Sequence, residues 1–269
     1  MQEKNFDQEL EEILIKEAMD KIKYKIMVMS NKGGVGKSTI SALLAETLAI
    51  ENNQVGLLDT DIHGPSQSKI FNIQEKLQAN DAGKIIPFLA RENLKLVSSA
   101  GLLEHENQAL IWRGPRKAGL IKQFIKDVDW GNLDYLIIDA PPGTGDEPLA
   151  VAQMIPDISG IVIVTTPQEL AVLDSKKAIT FANELNAKII GMIENMTTLE
   201  CPHCKKQIEL FGSNEEAKEA SGIDLLGKLP FDSLLLKSID KGSSFMRQHS
   251  LSSAANEILS IVEKIKVKL

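Results

Sequence analysis

Lys32-Gly33-Gly34-Val35-Gly36-Lys37-Ser38-Thr39 lies between a short apolar run, residues 25–30, and the Ala- and Leu-rich stretch 40–50. Glycines at this spacing between a strand and a helix let successive backbone N–H groups turn inward around an anion, and the helix adds the positive end of its dipole. The pattern predicts a phosphate-binding loop. Lys37 is placed to neutralise the β and γ phosphates of a nucleotide, Ser38 to offer its hydroxyl to Mg²⁺, and Thr39 falls in the first helical turn near the α phosphate. The usual pattern opens with Gly; here that position is Asn31, which tolerates left-handed backbone better than most residues.

Outward from this loop, apolar runs at 25–30, 54–59, 94–98, 134–139, 160–165, 188–193 and 224–229 alternate with helical segments. Such alternation implies an α/β fold: a mostly parallel twisted sheet of about seven strands, with helices on both faces, in a P-loop NTPase. Several runs end in Ser30, Asp59, Asp139 or Thr165-Thr166-Pro167, at the carboxyl ends where open α/β sheets bind ligands. Before the first strand, Leu10, Ile13, Leu14, Ala18 and Ile22 recur at helical spacing. The expected organisation is an amphipathic helix over 1–24 packed on a single P-loop domain, 25–269. The polar stretch 71–93 reads as an excursion from the sheet.

Composition narrows the function. The 269 residues are 43% hydrophobic and 25% charged, which suits one globular core, and the formal net charge of -7 argues against coating a polyanion. Nucleic acid is not an expected partner. No run approaches the roughly 20 apolar residues of a membrane span, and the N-terminal stretch is acidic where a signal peptide would be basic and then apolar. A cytoplasmic protein is expected.

Two acidic positions answer the loop. Asp59 and Asp61 follow the strand at 54–58, and alternate residues at a strand end share a face, so both carboxylates can point at the phosphates. Their alternative roles are a helix cap and a turn acid. Tyr135-Leu136-Ile137-Ile138-Asp139 is an apolar strand ending in an acid, the form of a segment whose carboxylate holds Mg²⁺ through water. Behind it, Ala140 to Glu147 mixes rigid prolines with glycines, the composition of a loop with two states. No protein-kinase catalytic loop occurs, so water is the expected phosphoryl acceptor.

The chain has two cysteines, Cys201 and Cys204, in a C-x-x-C pair. Two thiolates leave a tetrahedral metal site half filled, and a two-fold axis beside the loop would supply the other two from a second subunit. Four thiolates fit a [4Fe-4S] cluster or Zn²⁺. A thioredoxin-like redox pair and a Zn²⁺ site completed by His203 are the alternatives.

Lys32, directly before the double glycine, resembles the signature lysine of the deviant P-loop ATPases related to MinD, ParA and the nitrogenase iron protein. The resemblance implies a nucleotide-dependent homodimer in which Lys32 reaches the partner's nucleotide. Asp61-Ile62-His63-Gly64-Pro65-Ser66, Trp112-Arg113-Gly114-Pro115, Asp134 to Glu147, Thr165-Thr166-Pro167-Gln168, Glu194-Asn195-Met196 and Cys201-Pro202-His203-Cys204 then stand in the order of one subgroup. Across almost its whole length the chain resembles the Mrp/ApbC iron-sulfur cluster carrier ATPases. That resemblance implies ATP and Mg²⁺ as ligands and a labile cluster bridged between subunits for delivery to apo-proteins, with scaffold proteins as possible donors. It also implies that Asp61 positions the attacking water, that Asp59 supports the metal side, and that Asn195, Pro230 and Asp232 lie near an adenine base. No cysteine-rich N-terminal extension or small N-terminal domain is read here, so only the bridging cluster is expected, and Lys205 replaces the glycine common after the second cysteine.

Two weaker signals remain. Trp112-Arg113 fits a dimer or client surface as well as it fits packing. The terminal run Ile258, Ile261, Val262, Ile265 and Leu269 with Lys264, Lys266 and Lys268 reads as a core-covering helix, with contact to anionic lipid as its alternative. The rival functions are a MinD- or ParA-like positioning ATPase switch and a zinc-bridged regulatory ATPase dimer.

Overall fold

The computed structural model describes residues 2–102, 114–167, 172–201, 203–211 and 222–269; Trp112, Arg113, Gln168 and Pro202 lie outside them. In chain order the strands are β1 (Ile22–Met29), β2 (Val55–Asp59), β3 (Gln78–Ala79), β4 (Ile85–Ile86), β5 (Phe88–Arg91), β6 (Leu94–Ser98), β7 (Leu133–Asp139), β8 (Gly160–Thr165), β9 (Ile189–Glu194), β10 (Thr198–Glu200), β11 (Gln207–Glu209) and β12 (Leu225–Lys228). The helices are α1 (Gln2–Met19), α2 (Lys37–Ile50), α3 (Gln67–Ile70), α4 (Gly114–Lys126), α5 (Asp146–Gln153), α6 (Val172–Glu184), α7 (Ser233–Asp240), α8 (Phe245–Gln248) and α9 (Ser253–Lys268).

Eight strands form one sheet in the order β12-β9-β8-β1-β7-β2-β6-β5. All adjacent pairs are parallel except β5–β6. The antiparallel β5 arises inside the stretch read as an excursion, and it makes the eighth strand where about seven were expected. The central strands are apolar on both sides, as a sheet covered on two faces requires. Alternation along β1 sorts them: Ile26 and Val28 join a core with α2 and α9, whereas Met27 and Met29 pack with Ala152, Ala178 and Phe181 of α5 and α6. A further core under α1 and α4 contains Met19, Phe124 and the buried Trp130, whose indole N–H donates to the Phe124 carbonyl at 3.3 Å.

The two terminal helices differ from each other. In α9, Ile258, Ile261, Val262 and Ile265 are buried, Lys264 donates to the Leu226 carbonyl, and Lys266 and Lys268 pair with Glu51 and Asp224. This helix covers the core, and its lysines are engaged by the protein. In α1 the expected face is corrected: Leu10, Ile13 and Leu14 are exposed, while Ile15 and Met19 are buried and Glu11 pairs with Lys122 and Lys126 of α4. The helix also stops at Met19, so Ile22, read as its last apolar position, already belongs to β1. The buried side of the helix runs instead through Ile15 and Met19, with Ala18 against the same core and Glu11 paired to two lysines beside it. Met19→Ala should therefore lower stability in chemical denaturation by about 2–4 kcal/mol. Ile13→Ser should stay within about 0.5 kcal/mol of wild type.

Candidate functional site

The loop from Ser30 to Gly36 leaves the end of β1 at the centre of the sheet. Its left-handed turns fall at Gly34 (φ +85°) and Gly36 (φ +86°), and Asn31 does not use the left-handed conformation its residue type allows. A side chain added at Gly33 or Gly34 would meet nothing within 4 Å, whereas a Cβ at Gly36 would lie 2.2 Å from Asn195 Nδ2. The cradle is thus open at its mouth and sealed at its back. Asn195 does the sealing: its amide donates to the Val35 carbonyl at 2.9 Å, and its backbone N–H to the Thr165 carbonyl at 2.7 Å. Val35 is buried, Lys32 is exposed, and Ser30 Oγ donates to the Lys32 carbonyl. Thr39 is half-buried and borders a small cavity with Leu43, Phe71 and Phe245.

Below the cradle, Asp59 and Asp139 face each other as register partners on β2 and β7, both fully buried. Lys37 Nζ pairs with Asp139 Oδ1, which also accepts from Ser41 Oγ at 3.1 Å, and lies 3.4 Å from Ser38 Oγ. Asp139 Oδ2 accepts from Gln67 Nε2 at 2.7 Å. Asp59 Oδ2 accepts from Ser98 Oγ (3.0 Å) and from the backbone N–H groups of Ser66 (3.1 Å) and Gln67 (3.2 Å), and Oδ1 from the N–H of Asp61 (3.2 Å). Burial, reinforced by the Asp139 charge, pushes the Asp59 carboxyl up to about 7, against the pull of these donors. Asp61 is partly exposed beside the cradle and accepts from the Gly64 N–H at 3.0 Å, which fixes the turn at Gly64-Pro65.

This arrangement suits a Mg²⁺-nucleotide. The open glycine mouth admits phosphates, and Ser38 and Asp139 place a hydroxyl and a carboxylate on one side of it. Among the described residues, the buried Gln67 Oε1 and Ser66 Oγ also have no hydrogen-bond partner there. Neither Gln67 nor Ser41 was picked out from the sequence. Ser41 carries a signal, one helical turn beyond Lys37; Gln67 carries none.

Pro230 and Asp232 sit after β12. Asp232 caps α7 by accepting from the Leu234 N–H at 2.7 Å, and the intervening Phe231 N–H donates to the Thr198 carbonyl at 2.7 Å. These segments flank the strap 195–200, which runs from the back of the cradle to the cysteines.

Cys201 and Cys204 occupy the tip of the β10–β11 hairpin, in which Thr198, Leu199 and Glu200 pair with Glu209, Ile208 and Gln207. Lys205 takes the left-handed turn (φ +60°) where a glycine is usual, and its N–H donates to the Cys201 carbonyl at 3.0 Å. Lys205 Nζ meets Glu200 at 3.0 Å. Cys204 is exposed and Cys201 half-exposed, as unbridged thiols. Backbone N–H groups of Cys204 and then His203, with the Cys204 side chain, hold the Cys201 thiol below its usual value, which favours the thiolate that ligates metals. No group of three or more His, Cys, Asp or Glu side chains gathers as a metal site among the described residues.

The chain is similar to known proteins in sequence and in fold. The chain is 44% identical over 257 residues to an iron-sulfur cluster carrier protein of Methanocaldococcus jannaschii, covering 95% of this chain and 88% of that one. It is also 44% identical to the protein of that name from Saccharolobus solfataricus, covering 92% and 84%. A nucleotide-binding protein from Archaeoglobus fulgidus, solved in complex with ADP and with Co, superposes with a TM-score of 0.79 at 40% identity, over 91% of this chain and 96% of that one. The septum site-determining protein MinD of Pyrococcus horikoshii, with Mg-ADP, shares the fold at a TM-score of 0.67 and 21% identity, over 92% and 99%. The family described as the NUBPL iron-transfer P-loop NTPases, of the ParA type, matches residues 21–266, and the chain belongs to it.

Proposed function

We propose that the protein is an ATP-hydrolysing iron-sulfur cluster carrier, which holds a labile cluster on Cys201 and Cys204 of two subunits and hands it to apo-proteins. The observation that carries this reading is the pairing, in one chain, of the phosphate cradle with an exposed C-x-x-C hairpin joined to it by a single short strap. Similarity to the carrier proteins of M. jannaschii and S. solfataricus supports the cargo. The ADP complex of the A. fulgidus relative supports the nucleotide.

Hydrolysis asks the protein mainly for position and charge. The N–H groups of residues 33–37 hold the phosphates, and Lys37 swings its ammonium from Asp139 toward the β and γ oxygens. Ser38 and Asp139 are the residues that would hold Mg²⁺, which when bound would supply positive charge to offset that of the phosphates. Asp61, fixed by Gly64, orients the attacking water. Lys32 extends from the exposed rim to a nucleotide in the partner subunit. Asp59 orders residues 61–67 through the backbone N–H groups of Asp61, Ser66 and Gln67. Asn195, Pro230 and Asp232 stand on the side where the base would rest.

At the hairpin, four thiolates across a two-fold axis suit a [4Fe-4S] cargo, and the same four would accept Zn²⁺. Two thiolates in one chain are half a site, so the cargo and the dimer depend on each other. The strap gives a route for coupling: Asn195 touches the phosphate loop and Cys201 lies six residues further on. A shift of the cradle is thereby passed to the thiols.

Anaerobic reconstitution with iron and sulfide should give a visible charge-transfer band and a dimer. Cys201→Ala should lose both the band and the iron, while zinc alone in anaerobically purified protein, or flotation with liposomes in ATP without iron, would favour the rival readings. For the ATPase, Lys37→Ala and Asp61→Asn should each lower steady-state phosphate release at least about 100-fold. Of these two, only Lys37→Ala should also weaken nucleotide binding. For Asp59, the folded-state value lies above the unfolded one, so the native protein binds the extra proton and stability falls as pH rises from about 4 through 7. Between pH 5 and 8, wild type should lose about 2 kcal/mol relative to Asp59→Asn, read by denaturant titration at each pH.

A further inference from the structure

Gln67 opens α3, immediately after the turn fixed by Asp61 and Gly64, and it is fully buried. Its Nε2 donates to the Ser38 carbonyl at 2.9 Å and to Asp139 Oδ2 at 2.7 Å, while its backbone N–H donates to Asp59 Oδ2 at 3.2 Å. One residue therefore touches all three members of the Ser38, Asp59 and Asp139 set. The amide orientation is settled by this network, because turning it over would put its oxygen against a carbonyl and a carboxylate. Its other end, Oε1, is buried without a hydrogen-bond partner among the described residues. An unmet acceptor inside a protein costs about 1–3 kcal/mol, so an acceptor kept there faces a donor in the working state.

We infer that Gln67 is a positioning residue for the metal of the nucleotide site: Nε2 fixes Asp139 and the Ser38 backbone, and Oε1 accepts from a water on the Mg²⁺. The inference rests on the reading of the cradle as a Mg²⁺-nucleotide site. Among the described residues no protein donor serves Oε1; of the groups around Asp139, Ser41 Oγ donates to the other carboxylate oxygen, and Lys37 Nζ lies against that same oxygen and Ser38 Oγ. A water on a divalent cation is a strong donor, and Ser38 and Asp139 bring such a cation within reach of the same amide. The outer partners of metal ligands typically change metal affinity by about 10- to 100-fold. Gln67 thus links the segment after β2, which carries Asp61, to the metal side of the cradle.

The test is Mn²⁺ titration of the ADP-loaded, full-length protein followed by electron paramagnetic resonance, beside ADP affinity measured in EDTA. Gln67→Leu should weaken Mn²⁺ binding about 10-fold and leave metal-free ADP affinity within about two-fold of wild type. Gln67→Met, of similar length, should behave alike and serves if the leucine variant does not fold. Unchanged Mn²⁺ affinity in a folded variant overturns the inference. So does a parallel loss of metal-free ADP affinity, which would mark Gln67 as packing only. Failure of wild type to bind ADP at all would instead overturn the nucleotide reading beneath it.

Discussion

Two carboxylates buried side by side are the constraint on which this site is built. Asp59 and Asp139 end adjacent parallel strands in register, so their side chains are brought together by the sheet itself. Burying charge is expensive unless it is paired and hydrogen-bonded. The protein meets this with Lys37 and Ser41 on one oxygen of Asp139, Gln67 on the other, and Ser98 with three backbone N–H groups on Asp59. Four of those bonds, from the N–H groups of Asp61, Ser66 and Gln67 and from the Gln67 side chain, order the loop 61–67. The geometry of the segment that carries Asp61 is therefore a by-product of neutralising two buried acids.

A consequence for the proposed cycle follows from charge alone. When Lys37 turns to a phosphate, Asp139 loses its cation while Asp59 stays beside it. A divalent metal held by Ser38 and Asp139 would restore the balance, and metal and phosphate would then bind more favourably together than either alone. After hydrolysis and loss of charge from the cradle, the return of Lys37 to Asp139 is the step that the buried pair favours.

Much of this was legible from residue order. The alternation of apolar runs with helices gave the parallel sheet, and Gly33 to Ser38 gave its switch point, because both signals are local. The antiparallel β5 was missed since Phe88–Arg91 is short and only partly buried, and its pairing with β6 is a hairpin inside a polar stretch. The phase of α1 was missed because Ile15 and Met19 are apolar at helical spacing just as Leu10, Ile13 and Leu14 are, and periodicity alone does not say which set meets α4. Asp59, Asp61 and Asp139 were singled out as acids at or just past strand ends. Gln67 was not, since its role depends on where a turn brings an amide that has no pattern of its own.

The distance from cradle to cysteines is a question of wiring. Asn195 stands behind Gly36 so closely that a single Cβ there would collide with its amide, and the Asn195 backbone is tied to Thr165 at the end of β8. Beyond it, Thr197 donates from both N–H and hydroxyl to the Leu229 carbonyl, and the hairpin continues that strand course. Met196, between them, holds a left-handed backbone (φ +59°) that a side chain other than glycine adopts only when its surroundings demand it. A strap tied at Asn195 and at Thr197, with a left-handed residue between them, is a constrained connection between the cradle and the hairpin that carries the thiols.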